Sequence, residues 1–134
     1  MSYKLESFNA QAFTKYKAYL ASRLQKTVSV PFKKVLIDGA ETTPNHCHDN
    51  VTHYIEDNPS FRRKNGWLVL DCSKEDGFIM FYAHAIVEDE HGNLCDITLR
   101  DSQERLFIES FLSDEQFKII SHDMGIMTLR HNFK

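Results

Sequence analysis

The chain has 134 residues, 42% hydrophobic and 26% charged, a globular composition long enough to bury a core without disulfides or metals. It excludes a disordered chain, a collagen-like repeat and a membrane span. Lys and Arg number 16 against 19 Asp and Glu, a net charge of −3, which argues against a nucleic-acid or anionic-membrane partner, since such binders are usually basic.

One domain over residues 1–134 is expected from the length. The N-terminus, MSYKLESFNAQAF, has no apolar h-region and predicts no secretory signal. Phe8, Ala12, Phe13, Tyr16, Tyr19, Leu20 and Leu24 recur at helical spacing and predict a helix over 7–25, capped by Ser7 or Asn9. Val28 to Ile37 reads as extended, and Asp38-Gly39 as a turn. A polar loop, 41–46, leads into Cys47. Val51, Tyr54 and Ile55 then give a short helix over 48–57 its apolar stripe, and Asn58-Pro59 stops it. The cluster Arg62-Arg63-Lys64 reads as a solvated loop, with Gly66-Trp67 turning the chain into the sheet.

The period then changes to that of strands. Trp67–Cys72, Phe78–Glu88 and Leu94–Leu99 are the candidates, with hairpin chemistry at Glu90-His91-Gly92-Asn93. Trp67, Phe78, Phe81 and Tyr82 are expected in the core, and so are Cys72 and Cys95 as small buried hydrophobes. Phe107-Ile108 opens another apolar piece. Ser113 caps a last helix, with Gln116 at the capping-box position, and residues 126–133 supply an edge strand. Strands that cluster with short links predict an α+β fold, an antiparallel sheet with helices packed on it.

Three cysteines, Cys47, Cys72 and Cys95, make a poor disulfide framework. They predict a reducing, cytoplasmic setting. Cys47 stands out because it sits where a loop enters a helix, a position that lowers a thiol pKa. His84 lies inside the second strand, and Asp96 in the strand across the hairpin. An imidazole can take a thiol proton and return it to a leaving group. A carboxylate behind it fixes the tautomer.

The hairpin decides whether these two can meet. A three-residue loop, Glu90-His91-Gly92 with Gly92 left-handed, pairs Asp89 with Asn93. His84 then faces Thr98, and Asp96 lies diagonally on the same face, ~7–8 Å away. A two-residue loop would turn Asp96 to the other face. Asp101 is the runner-up for the acid.

The segments NHCHDNVTHYIEDNP, GWLVLD and AHAIVEDEHGNLCDIT resemble the papain-like and transglutaminase-like cysteine superfamily, most of all its small bacterial single-domain members. The run His84-Ala85, Glu88, Gly92, Asp96 and Thr98 is similar to its H-A-x-x-E…G…D-x-T segment. The likeness covers Asn45 to Thr98. It implies a core with the nucleophile Cys47 at a helix N-terminus, His84 as base and Asp96 as orienting acid. It also implies an oxyanion donor, for which the polar candidates are Asn45 and Asn50. No Gln precedes Cys47 at the papain spacing, and His48 stands where Trp usually follows the Cys.

The function expected is a thiol-dependent hydrolase or acyl transferase acting on a peptide, amide or ester without a cofactor. Two alternatives stay open. One is an inactive binding module on the same scaffold. The other is a metal site built from Cys47, His84 and Asp96.

Overall fold

The computed structural model describes residues 2–99 and 105–133. In chain order they form α1 (Ala10–Ala21), a 3-10 turn (Leu24–Lys26), β1 (Val28–Val30), β2 (Leu36–Ile37), β3 (Ala40–Glu41), α2 (Cys47–Asp57), β4 (Arg62–Cys72) and β5 (Phe78–Glu88). β6 (Leu94–Cys95), β7 (Arg105–Glu109), α3 (Asp114–Lys118), a π turn (Ile119–Asp123) and β8 (Thr128–Asn132) follow. Among the described residues one sheet runs β1-β7-β4-β5-β6, with β8 also on β5, and β2-β3 form a separate hairpin. The pairs β2–β3, β4–β7, β5–β6 and β5–β8 are all antiparallel, so the fold is α+β.

The chain divides into two compact units. Met1–Val28, Gly66–Ala83 and Leu106–Lys134 make one, and Ser29–Asn65 with His84–Arg105 the other.

The first unit is built on large apolar side chains. Tyr16 and Leu20 of α1, Trp67, Ile79, Phe81, Ile108, Phe117 and Ile120 are fully buried together. Trp67 packs edge-on against Phe117 at 5.2 Å, a geometry that the ring quadrupoles favour. The two polar atoms this buries are paired. Trp67 Nε1 donates to Tyr16 Oη at 2.8 Å, and Tyr16 Oη donates to the Ser110 carbonyl at 2.7 Å.

Asn9, rather than Ser7, starts α1, its side chain accepting from the Ala12 N–H. Ser113 caps α3 in the same way through Gln116 N–H. The Gln116 side chain does not complete a capping box. It turns to Leu5 instead, accepting from its N–H at 3.1 Å and donating to its carbonyl at 3.0 Å. Gly66 lies within β4 and makes no turn. A Cβ there would run into the Ile108 carbonyl and the Phe107 ring, so only glycine permits this strand approach. On β5, Ile79 and Phe81 face the core, whereas Tyr82 is exposed and Phe78 half-buried beneath Arg130 at 3.9 Å. Strand alternation puts the latter two on the other face. Cys72, at the end of β4, is also only half-buried.

In the second unit, one face of α2 is buried through Cys47, Asn50, Val51 and Tyr54, an i, i+3, i+4, i+7 stripe. It joins Ala85, Val87 and Ile97, with Val35, Ile37, Ile55, Phe61 and the half-buried Cys95 around them. The β2–β3 turn uses Asp38 (φ 52°) and Gly39 (φ 81°), the left-handed pair a two-residue hairpin requires. Arg62 and Arg63 belong to β4 and not to a loop, and both side chains are bonded. Arg62 pairs with Glu88 at 2.8 Å. Arg63 donates to the His48 carbonyl at 3.1 Å and to Thr52 Oγ1, which ties α2 to the strand.

The β5–β6 hairpin has the odd-length loop. Val87 pairs with Cys95 and Glu88 with Leu94. The Asp89 N–H donates to the Asn93 carbonyl, and Gly92 sits at φ 82°. The third strand is shorter than expected and stops at Cys95. Asp96 leaves the ladder because its backbone is claimed elsewhere. Its N–H donates to the Pro31 carbonyl at 2.9 Å, and its carbonyl accepts from Lys33 N–H at 2.9 Å, a parallel bridge centred on Phe32.

Candidate active site

Cys47, His84 and Asp96 meet inside the second unit. All three are buried, at 7%, 4% and 0% exposure, so their mutual charges act with little screening by water. His84 Nε2 lies 2.8 Å from Asp96 Oδ2. Cys47 interacts with the same imidazole, through a hydrogen bond and through charge. The Ala85 N–H, next along β5, also bonds the Cys47 sulfur.

Burial pushes the Cys47 thiol up. The His84 hydrogen bond, the His84 charge and the Ala85 N–H outweigh it, and the thiol ends below its ordinary value. Burial likewise pulls the His84 imidazole down, but bonds to Asp96 and Cys47 win and raise it to about 9. Shifts in opposite directions favour a thiolate beside an imidazolium.

Asp96 is held on every side. Oδ2 faces His84, Oδ1 accepts from the Thr98 N–H at 3.1 Å, and the backbone is clipped to Pro31 and Lys33. Its alternative, Asp101, lies outside the described residues.

The two oxyanion candidates are placed differently from each other. Asn50 is buried, and its amide is fully engaged. Nδ2 donates to the Thr43 carbonyl at 2.8 Å and to Thr98 Oγ1 at 3.2 Å, while Oδ1 accepts from the Thr43 N–H at 3.3 Å. Both N–H donors are therefore spent within the protein, which removes it as an oxyanion donor. Asn45 is exposed at φ 64°, a left-handed position that Asn tolerates, in the turn entering α2.

A metal does not suit the three central residues. Among the described residues no group of three or more His, Cys, Asp or Glu is placed to hold an ion.

Four contributors escaped the sequence reading: the Ala85 N–H, Arg63, Thr43 and the Pro31–Lys33 clip. All but Arg63 act through backbone groups, and no side-chain pattern announces them. Thr98 was visible as the residue facing His84 across the hairpin and as part of the superfamily-like run, though not as the donor to Asp96.

No protein-family model matches the chain, and no curated protein or solved structure is significantly similar to it. Among the described residues no helix is long and apolar enough to cross a membrane.

Proposed function

We propose that the protein is a thiol-dependent acyl-transfer enzyme of the papain-like and transglutaminase-like kind. The observation that carries this reading is the buried Cys47–His84–Asp96 chain, with Asp96 on His84 Nε2 and the Cys47 thiol coupled to the same imidazole. Cys47, as thiolate, attacks the carbonyl carbon of an amide or ester. The first-turn N–H groups of α2, which no helical carbonyl can accept, suit the oxyanion. The intermediate collapses to a thioester as the imidazolium of His84 gives its proton to the leaving amine or alcohol. Water or an amine, deprotonated by His84, then attacks the thioester and releases Cys47. Asp96 keeps the ring oriented throughout and stabilises its charged form.

Alkylation of single cysteines by iodoacetamide, read by intact mass across pH, tests the reading. Cys47 is expected to react with an apparent pKa below the ordinary ~8.5, ahead of Cys72 and Cys95. His84→Ala should raise that pKa and slow alkylation near pH 6 by about a hundredfold. An ordinary or sluggish Cys47 in both proteins would overturn the enzyme reading and favour a binding module.

A further inference from the structure

We infer that Asn50 is a positioning residue that fastens the segment carrying the nucleophile to the segment carrying the acid; this rests on the thiol–imidazole reading above. The bonds form a ring. Asn50 grips both backbone groups of Thr43, four residues before Cys47. Its remaining N–H holds the Thr98 hydroxyl. The Thr98 N–H holds Asp96 Oδ1, Asp96 Oδ2 holds His84, and His84 bonds Cys47. Residues 43–47 and the first turn of α2 close the circuit, since Asn50 sits one turn after Cys47 on the same buried face.

The ring has a consequence for the acid. A carboxylate can rotate about its last bond, and a fixed donor on Oδ1 holds Oδ2 on the imidazole. The Thr98 N–H is that donor, and Asn50 holds Thr98 by its side chain. Thr42 makes a second, separate stitch: its hydroxyl donates to the Ile97 carbonyl at 2.7 Å and accepts from the Leu99 N–H at 2.8 Å. The two segments therefore stay joined when Asn50 is truncated, and what is lost is the alignment of Thr98 and Asp96.

The test is the pH profile of Cys47 alkylation by iodoacetamide, with thermal midpoints measured beside it, in Asn50→Ala, Thr98→Val and Thr98→Ser. Asn50→Ala and Thr98→Val should each raise the apparent thiol pKa and slow alkylation near pH 6 about fivefold, the scale of one buried hydrogen bond. Thr98→Ser keeps the hydroxyl and should restore the profile. If Asn50→Ala fails to fold, the near-isosteric Thr98→Val decides alone. Lower thermal midpoints with an unmoved pH profile would reduce Asn50 to a purely structural bond and sink the inference. The parent reading is judged separately by His84→Ala. If that variant shifts the thiol and these do not, only the role of Asn50 falls.

Discussion

Tyr16 in the first unit and Cys47 in the second are both buried weak acids held in hydrogen-bond chains, yet their pKa values move in opposite directions. Burial drives the Tyr16 hydroxyl far up, and the Trp67 bond offsets only part of it. Burial acts on Cys47 in the same sense, but there the thiol ends lowered. The difference lies in the partner. Trp67 offers a neutral N–H and Ser110 a carbonyl, so the Tyr16 proton has nowhere to go. His84 can accept the proton and become a cation, and Asp96 stabilises that cation. A low-dielectric interior makes an acid inert or reactive according to whether a base is buried with it.

Three substitutions sharpen this contrast, and the largest effect belongs to Asp96→Asn. It should cost turnover roughly ten-thousandfold, as loss of an orienting acid does elsewhere, measured on any amide or ester substrate found. It should also change the pH dependence of stability. The folded His84 pKa is raised from 6.5 to about 9, so its stabilisation is fully present below pH 6.5 and is lost as pH rises through 9. In the wild type the lowered Cys47 thiol gives up the proton that His84 keeps, so the two slopes offset; urea denaturation of Cys47→Ala should uncover the alkaline decline, and Asp96→Asn added to it should flatten it. An unchanged slope in the variant would mean that Asp96 does not hold the imidazolium.

Tyr16→Phe comes next. It strips the acceptor from Trp67 Nε1 and the donor from the Ser110 carbonyl, and should cost about 1–3 kcal/mol by urea denaturation. The Cys47 alkylation profile should not move, because this chain carries no charge to the thiol. A shifted profile would break the contrast between the two chains. The smallest effect is expected from Arg62→Ala. Its pair with Glu88 is short but Arg62 is 71% exposed, so the loss should stay below about 1 kcal/mol. A larger loss would show that this ion pair is anchored well beyond what its exposure implies.

Local features of this fold were readable from the residues. The parity of the β5–β6 loop followed from a glycine at its third position, and Gly92 is left-handed there. The Asn9 and Ser113 caps and the buried stripe of α2 followed from spacing. What escaped depends on segments distant in sequence. Asp96 abandons β5 because Pro31 and Lys33 take its backbone. Gln116 leaves its own helix for Leu5. Asn50 spends its amide on Thr43 and Thr98. In each case a polar group had a plausible local partner, and tertiary packing brought a better one.

The clip between Pro31–Lys33 and Asp96 has a bearing on how the chain matures. It joins the two ends of a long stretch of sequence, and such a loop closes late because its entropy must be overcome first. Until it closes, Asp96 lacks its backbone anchors and His84 lacks a settled carboxylate. A chain in which the clip is still open therefore lacks the settled imidazole that lowers the Cys47 thiol.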